Sequence, residues 1–310
     1  MSLIRKPAEL EIQPTIQALI YGQAGTGKTT LALSAPAPLL LDFDNGVSRV
    51  NPGHRTDTVQ IKSYQDCLDV LQEDLSAYKS IVVDTGGKLL DFMGNWLIEK
   101  NGKLGKANGT LSLQGFGERK AEFRQLCKRL RMMNKHLIFV AHRDEQKQGD
   151  EYRYVPIFGG SSYADLVSDL DLVGYLEAYG RKRVITFDPT DRNDGKNTLN
   201  MPATTELPVV VDDQGAALPN TFFADVVIGG FERRLAEQKA LNEAFGEIME
   251  FVKANVEAVT DAGTANEVSA KLKGLNHVGN SRIYASQMLS KRCKEIGLKL
   301  NKDTKRYEAA

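Results

Sequence analysis

The sequence has 310 residues, with 40 Lys and Arg against 40 Asp and Glu and an apolar fraction of 42%. This composition is typical of a soluble globular protein with one main domain and an appendage, and it excludes a disordered chain. Cys67, Cys127 and Cys293 are far apart and odd in number, which predicts neither a disulfide framework nor a metal knuckle. Because we find no signal-peptide pattern and no apolar run of membrane-spanning length, we expect a cytoplasmic protein with no membrane partner.

The first two thirds of the chain alternate between predicted strands and predicted helices. We expect strands at 15–21, 38–43, 80–84 and 136–141, and helices at 28–34, 63–78 and 117–134. The strands are nearly continuous apolar runs, as in strands that are buried on both faces of a parallel sheet. Two further strands, at 170–178 and 182–188, are close enough to pair as a hairpin. The pattern predicts an α/β fold with a mostly parallel sheet flanked by helices.

Two segments between these elements are long and polar, at 101–115 and 143–162. We interpret both as loops, and loops of this length in a compact domain are usually functional. From about residue 231 the sequence becomes helical, with Leu235, Leu241 and Phe245 on one apolar face. We therefore expect two domains, a core at 1–230 and a small helical appendage at 231–310.

The segment GQAGTGKTT follows a predicted strand and opens a predicted helix. Its pattern, GxxxxGK[ST], is that of a phosphate loop. Small residues let backbone N–H groups approach phosphate oxygens, the lysine reaches the outer phosphates, and the hydroxyl after it ligates Mg²⁺. The sequence thus predicts a site for ATP and Mg²⁺. The predicted ATP-binding residues are Gly22, Gln23, Ala24, Gly25, Thr26, Gly27, Lys28, Thr29 and Thr30.

Acidic residues close two of the predicted strands on the side of the sheet where ligands bind. Asp84 ends the run SIVVD, where an acid holds Mg²⁺ together with Thr29. Asp42 and Asp44 end the preceding strand in LLLDFDNG, and alternation along a strand points them the same way. We expect Asp44 to orient and deprotonate the attacking water. The alternative is a turn acid before Asn45.

Three basic residues are candidates for contact with the γ-phosphate. His142 directly follows HLIFVA and is predicted to sense that phosphate, with Arg143 as its substitute or a surface role as the alternative. Arg192 and Lys196 lie in the turn-rich segment DPTDRNDGKN. If copies of the chain assemble, these two are candidate trans-acting fingers that reach a neighbour's γ-phosphate. A solvated charged turn is equally compatible with the sequence.

The end of the chain is strongly basic, with ten Lys and Arg against three Asp and Glu between Lys271 and Ala310. Nucleic acid is the natural partner of such a segment, and Tyr284 and Tyr307 are available to stack on bases. A solvated helical face is the alternative. The candidate DNA-binding residues are Lys103 and Lys106 in the first long loop and Lys291, Arg292 and Lys294 near the end of the chain.

The order phosphate loop, LDFDNG, IVVD and VAHR resembles the RecA-like core of phage-encoded ATP-binding proteins, some of which are single-strand annealing recombinases. The resemblance covers about residues 12–190. It implies ATP and Mg²⁺ as cofactors, single-stranded DNA as a partner, and a homo-oligomeric ring or filament in the host cytoplasm, with a single-strand DNA-binding protein as a further partner. In that core a carboxylate at the position of Asp44 activates water. The DNA-binding loops of the family fall here on 101–115 and 145–162.

The predicted function is ATP hydrolysis coupled to work on single-stranded DNA in phage recombination or replication. The predicted catalytic residues are Lys28, Asp44, Asp84 and His142. One alternative is an annealing or loading protein that binds ATP and hydrolyses little, since larger relatives have glutamate where this sequence has Asp44. Another is a small-molecule kinase, which requires an arginine-rich lid over both substrates. The sequence has no compact run of several arginines.

Overall fold

The computed structural model describes residues 15–148, 151–159 and 161–310. They divide into two compact units, an amino-terminal unit that extends to Phe231 and a carboxyl-terminal unit from Glu232 to Ala310. Parts of two sequence predictions, the start of the resemblance at 12–14 and positions 149, 150 and 160 of the second long loop, lie outside the described residues. Within the described ranges, no helix has the length and apolar character needed to span a membrane.

The amino-terminal unit is built around one large sheet. Its strands are β1 (Gln17–Gly22), β2 (Pro38–Asp42), β3 (Thr58–Gln60), β4 (Ser80–Asp84), β5 (His136–Gln148), β6 (Glu151–Pro156), β7 (Leu172–Tyr179), β8 (Lys182–Thr186), β9 (Lys196–Asn197) and β10 (Thr204–Glu206). Its α-helices are α1 (Lys28–Ala32), α2 (Tyr64–Val70), α3 (Gly86–Lys100), α4 (Leu113–Met132) and α5 (Ser161–Asp169), and a π-helical segment covers Phe222–Ile228.

The strand order is β10-β8-β7-β1-β5-β4-β2-β3, with β6 added to β5 and β9 to β7. The central strands from β7 to β3 are parallel to their neighbours, whereas β6, β8, β9 and β10 pair antiparallel. The mostly parallel sheet flanked by helices, predicted from the sequence, is confirmed, and so is the hairpin of β7 and β8. The register sets Gly22 beside His142 and Asp42 beside Asp84, so the ends of four strands meet at the carboxyl edge of the sheet.

Both faces of the sheet are buried, as the continuous apolar runs predict. Along β1, Ala18 and Ile20 pack into the core on one face, while Leu19 and Tyr21 pack into the core on the other. This alternation follows from the period of two residues in a strand. With apolar layers on both faces, the open edges of the sheet are where polar side chains come together.

Helix α3 was not predicted, and its sequence explains why. Gly86, Gly87 and Gly94 lower the intrinsic helix propensity of the segment. Gly86 is nevertheless required by packing, because a Cβ at this position would lie 1.8 Å from the ring of Phe158. The Thr85 side chain accepts a hydrogen bond from the Lys88 N–H and so starts the helix. Tertiary packing therefore outweighs local propensity in α3.

The boundaries of two predicted helices were wrong. Helix α4 begins at Leu113, four residues earlier than predicted, because the Ser112 hydroxyl accepts a hydrogen bond from the Gly115 N–H and caps it. Helix α2 ends at Val70 instead of continuing to 78. The Lys135 ammonium donates to the Leu75 and Tyr78 carbonyls, which belong to the turns that replace the predicted last part of the helix.

The second long loop was also predicted wrongly. Strand β5 continues past the sheet to Gln148 and pairs antiparallel with β6, from Arg143 opposite Pro156 to Gln148 opposite Glu151. The polar composition of this segment is typical of a loop, but the hairpin satisfies its backbone hydrogen bonds by pairing. The first long segment, 101–115, is partly ordered as well, since a 3₁₀ turn covers Gly102–Leu104 and a bridge joins Gly105 to Leu111.

The carboxyl-terminal unit has its own apolar core. Its elements are α6 (Gly229–Glu257), which begins just before the unit, α7 (Ala262–Lys273), α8 (Ser281–Glu295), β11 (Leu298–Leu300) and β12 (Tyr307–Ala309). The core side chains are Val252, Val256, Val259, Ala265, Val268, Leu272, Ala285, Leu289, Cys293 and Leu298. The predicted helical appendage and its small terminal hairpin are both confirmed.

Candidate nucleotide site

The loop between β1 and α1 has a conformation that its glycines make accessible. Gly25 and Gly27 have φ of +77° and +92°, in the left-handed region that other residues rarely adopt. Gly22 has a different reason, because a Cβ there would lie 2.2 Å from the Leu176 carbonyl oxygen on β7. These three glycines let the loop turn tightly over the end of the sheet with its backbone N–H groups free of side-chain obstruction.

The Lys28 side chain is buried beside this loop. Lys28 is only 5% exposed, and its ammonium donates to the Gln23 carbonyl oxygen at 2.8 Å. Burial lowers the pKa of Lys28 to about 8, and the negative charge of nearby Asp84 opposes that shift. An anionic ligand in the loop would favour the charged ammonium further. The lysine is thus held where it can neutralise phosphate charge.

Asp84 lies at the end of β4, within reach of the first turn of α1. The Thr29 hydroxyl donates to the Asp84 carboxylate at 2.5 Å. Burial raises the pKa of Asp84, which is 3% exposed, and the hydrogen bond from Thr29 opposes this. A hydroxyl and a carboxylate side by side are hard oxygen ligands that fit Mg²⁺. Among the described residues no cluster of three or more His, Cys, Asp or Glu can hold a metal ion, so phosphate and water would complete its coordination.

The two acids after β2 have different environments. The fully buried Asp42 carboxylate accepts hydrogen bonds from the backbone N–H groups of Asp44, Gly46 and Val47 at 2.9–3.2 Å. Asp42 therefore folds the turn that carries Asp44. The Asp44 carboxylate, about 30% exposed, forms an ion pair with Arg49 at 3.0 Å. This arrangement combines the two sequence interpretations, since Asp42 organises the turn while Asp44 faces the cleft.

These elements enclose an open cleft of about 500 Å³ at the carboxyl edge of the sheet. The residues that line it are Ala24, Gly25, Gly27, Lys28, Thr29, Thr30, Asp44, Gly46, Arg49, Val50, Asp84, Thr85 and His142. All four residues predicted to be catalytic are therefore brought together. His142 is half-buried, and burial, followed by the positive charge of Lys28, lowers its pKa. It is accordingly a neutral polar group at the side of the cleft.

A second cleft, of about 430 Å³, adjoins the first on the other side of the phosphate loop. Gly27, Thr30 and Arg49 line both clefts, and the segment from Leu207 to Asp212 closes the second. Two polar side chains tie this region to the loop. Arg183 Nε donates to the Thr26 carbonyl at 3.0 Å, and Asn220 Nδ2 donates to the Thr30 carbonyl at 2.7 Å.

Sequence reasoning missed three of these side chains. Arg49 follows DFDNG closely, so its distance from Asp44 along the chain was a usable signal. Arg183 and Asn220 are 157 and 190 residues from their partners in the loop, and no motif marks them. Only the folded sheet brings β8 and the segment before the π-helix next to the phosphate loop.

A family model described as an AAA domain matches residues 15–199. The chain belongs to this AAA-domain family. The matched range contains the phosphate loop and the strands that carry Asp44, Asp84 and His142, so the AAA domain includes the whole first cleft. A comparison with curated protein sequences gives no match.

Two solved structures illustrate the structural similarity. The ATPase domain of a helicase is 12% identical to this chain, with a TM-score of 0.42, and the alignment covers 67% of this chain and 85% of that one. The RadB recombinase is 16% identical with a TM-score of 0.38, covering 64% of this chain and 89% of that one.

The two candidate fingers of the AAA domain lie away from the first cleft and have partners within the chain. The Lys196 ammonium donates to the Val167 and Ser168 carbonyls near the end of α5, at 2.7 and 3.1 Å. The Arg192 guanidinium lies over the ring of Tyr154 and is 3.6 Å from the Glu177 carboxylate. In this conformation Lys196 has a helix-capping role, whereas Arg192 remains partly exposed.

The alternative sensor, Arg143, is also engaged elsewhere. Its guanidinium donates to the Tyr175 hydroxyl at 2.8 Å and lies over the ring of Tyr154, 4.1 Å from the centroid. It is not among the residues that line the first cleft, whereas its neighbour His142 is. Between the two candidates, the geometry favours His142.

The candidate DNA-binding residues are spread over both units. Lys103 and Lys106 are exposed in the first long segment, and Lys291 and Lys294 are exposed on α8. Arg292 is half-buried, and its Nε donates to the Val259 carbonyl at 3.2 Å, which is a structural contact. Of the two tyrosines, Tyr284 is 48% exposed and Tyr307 is half-buried.

Proposed function

We propose that this AAA domain binds MgATP at the phosphate loop and hydrolyses it, as a RecA-like ATPase that acts on single-stranded DNA in recombination or replication. The observation that carries the proposal is the convergence of Lys28, Thr29, Asp44, Asp84 and His142 on one cleft. A phosphate loop alone is compatible with many chemistries. A metal-binding pair together with an acid facing the same cleft is the set that attack of water on a phosphate requires.

Each side chain has a role that follows from its surroundings. Lys28 neutralises charge on the outer phosphates, and the Thr29 hydroxyl and Asp84 carboxylate hold Mg²⁺. When bound, Mg²⁺ would shield phosphate charge during transfer. Asp44 orients the attacking water, and neutral His142 donates a hydrogen bond that senses the γ-phosphate. The second cleft is the proposed place of the ribose and base, because Thr26, Gly27 and Thr30 connect it directly to the first.

The central test is a Lys28→Ala variant with Lys62→Ala as its control. Lys62 is an exposed lysine that follows β3 at the same edge of the sheet, so its replacement removes an equal charge without touching the cleft. We expect the Lys28 variant to lose at least about 100-fold in ATP turnover, as preorganised charge at a transition state contributes, while the control keeps its rate. Equal turnover in both variants would contradict the proposal.

Three measurements on the wild-type chain separate this function from its alternatives. Stimulation of ATP turnover by single-stranded DNA supports the proposed function. Salt-sensitive DNA binding without turnover supports an annealing or loading protein that hydrolyses little. Transfer of the γ-phosphate to a metabolite supports a kinase. Light scattering with and without ATP and DNA tests the proposed homo-oligomer, since a ring reaches a fixed mass whereas a filament grows.

A further inference from the structure

The carboxyl-terminal unit contains a groove of about 570 Å³ between α7, α8 and the terminal hairpin. Four cations line it, namely Lys273, Arg282, Lys302 and Lys305, and no Asp or Glu is among its described lining residues. A shallower depression on α8 continues from it, since Ser286 and Ser290 line both. That depression adds Lys291 and Lys294. The result is a path of six positive charges across one face of the unit.

The floor of the groove is apolar. Leu272, Ala285 and Leu289 reach it from the core of the unit, and Leu300 is 52% exposed at its side. The Tyr307 ring also lines it. A groove that combines an apolar, aromatic floor with cations along its rim suits a ligand that carries phosphates on one side and flat apolar groups on the other.

The walls of this groove are fixed before any ligand arrives. Asn266 on α7 holds the hairpin through two hydrogen bonds with the Tyr307 backbone, at 2.8 and 3.0 Å. The His277 ring bonds to the Leu272 carbonyl and to the Ser281 hydroxyl, at 2.8 and 3.0 Å, and so fixes the turn between α7 and α8. Preorganised walls lower the ordering cost of binding.

We propose that this groove is a binding site for single-stranded nucleic acid, with Lys273, Arg282, Lys302 and Lys305 contacting phosphates and Tyr307 contacting a base. A duplex presents its phosphates outward with the bases stacked inside, which would leave the apolar floor without a partner. A single strand has exposed bases and uses both features. The site is separate from the ATP cleft, and it rests on the proposed function only in assigning DNA as the partner.

The test compares two double variants of the full-length chain. The groove variant, Lys302→Gln with Lys305→Gln, removes two positive charges from the groove side of the terminal hairpin. The control, Lys299→Gln with Arg306→Gln, removes two exposed charges of the same hairpin that do not line the groove. Binding of a fluorescent oligothymidine is measured by anisotropy over a range of salt concentrations, together with ATP turnover in the absence of DNA.

For single strands each phosphate contact contributes about 0.7 to the slope of log affinity against log salt. We therefore expect the groove variant to bind roughly 20-fold more weakly at about 0.1 M salt, with a slope smaller by about 1.4, if both lysines contact phosphates. The control should bind within about twofold of wild type, as expected for exposed charges outside the groove. Turnover without DNA should be the same in all three proteins.

The opposite results are equally defined. Equal affinity and salt slope in the two double variants would overturn the site, as would a wild-type chain that binds no oligothymidine. Tighter binding of duplex DNA, or of vesicles containing anionic lipid, in a groove-dependent manner would assign the groove to a different partner. None of these outcomes alters ATP turnover by the phosphate loop, so failure of this proposal is distinguishable from failure of the proposed ATPase. A Tyr307→Leu variant adds a check on base contact, with weaker binding expected at an unchanged salt slope.

Discussion

The two edges of the central sheet bury similar polar groups but use them differently. At the amino edge, the His136 Nδ1 and the Asp171 carboxylate accept hydrogen bonds from the Ile16 and Gln17 N–H groups at the start of β1, at 3.2 and 2.8 Å. At the carboxyl edge, Asp84 bonds to a side-chain hydroxyl that faces the same open cleft. Burial raises the pKa of both aspartates. A shifted pKa alone therefore does not distinguish a structural acid from a functional one.

The distinction lies in what the buried group bonds to. Acceptors at the amino edge complete the backbone hydrogen bonding of a strand, so removing them leaves an unsatisfied N–H group. The ligand-facing groups at the carboxyl edge are held next to empty space, and burying their charge costs stability that a bound ligand offsets. Changes at the amino edge should thus affect stability and spare activity, and changes at the carboxyl edge should do the opposite.

The largest expected effect comes from one substitution made at each edge, Asp84→Asn and Asp171→Asn. An amide keeps an oxygen that accepts from the Gln17 N–H, so Asp171→Asn should keep wild-type ATP turnover. Asp84→Asn removes the metal-binding charge, and we expect turnover to fall by about 10²–10³-fold. Steady-state hydrolysis assays on both variants measure the contrast. A comparable loss in Asp171→Asn would show that the two edges do not differ in this way.

The same pair of variants has a stability readout. A raised pKa means that the folded state favours the protonated acid, so this contribution to stability is present at low pH and is lost as pH rises through the folded-state pKa. At neutral pH, neutral Asn should therefore leave the nucleotide-free melting temperature of Asp84→Asn equal to or above that of wild type. A clearly lower melting temperature would mean that the Thr29 hydrogen bond outweighs the cost of burying the charge.

His136 provides the next largest effect, on stability alone. Burial lowers its pKa from 6.5 to about 4, and the positive charge of Lys79 adds to the shift. The folded state binds this proton less readily than the unfolded chain. The contribution is therefore fully present above pH 6.5 and is lost as pH falls towards 4, by up to about 3 kcal/mol. In His136→Gln, urea unfolding should lack this part of the pH dependence, while ATP turnover at neutral pH is unchanged.

Much of the carboxyl edge was predictable because its chemistry is local in sequence. The phosphate loop is a contiguous motif, and Asp84 and His142 each end an apolar run that the sheet places beside it. The alternation of strands and helices predicted the fold class for the same reason. Helix α3 escaped prediction because its glycines lower helix propensity, although Gly86 is required by the nearby Phe158 ring.

The features that were missed depend on contacts between distant segments. The β5–β6 hairpin has a polar composition typical of a loop, and only antiparallel pairing makes it a strand pair. Arg183 and Asn220 reach the phosphate loop across the fold. In the carboxyl-terminal unit the sequence predicted a basic segment, but the groove combines α7, α8 and the hairpin. Its cations Lys302 and Lys305 are therefore distinguishable from Lys299 only in the structure.

A smaller effect separates a strained loop from a functional one. Gly25 and Gly109 have nearly equal φ values, +77° and +79°, and an added Cβ would have no neighbour within 4 Å at either position. Alanine should cost about 1–2 kcal/mol of strain at both positions and lower both melting temperatures alike. Only Gly25→Ala should also weaken ATP binding, by about tenfold, because the phosphate loop must shift to relieve the strain. Calorimetric titration with ATP checks this, and equal affinities would remove Gly25 from the phosphate site.

The smallest expected effect concerns Arg49, which lines both clefts and forms an ion pair with Asp44. Its side chain is 67% exposed, so solvent screens its charge and the pair contributes less than about 1 kcal/mol. If Arg49 attracts the phosphates, Arg49→Gln should raise KM for ATP several-fold at low salt and leave kcat unchanged. If it instead holds Asp44 away from the attacking water, the variant should have a higher kcat at unchanged KM. We expect the first result, because Asp42 fixes the turn that carries Asp44 through three backbone hydrogen bonds whether or not Arg49 is present.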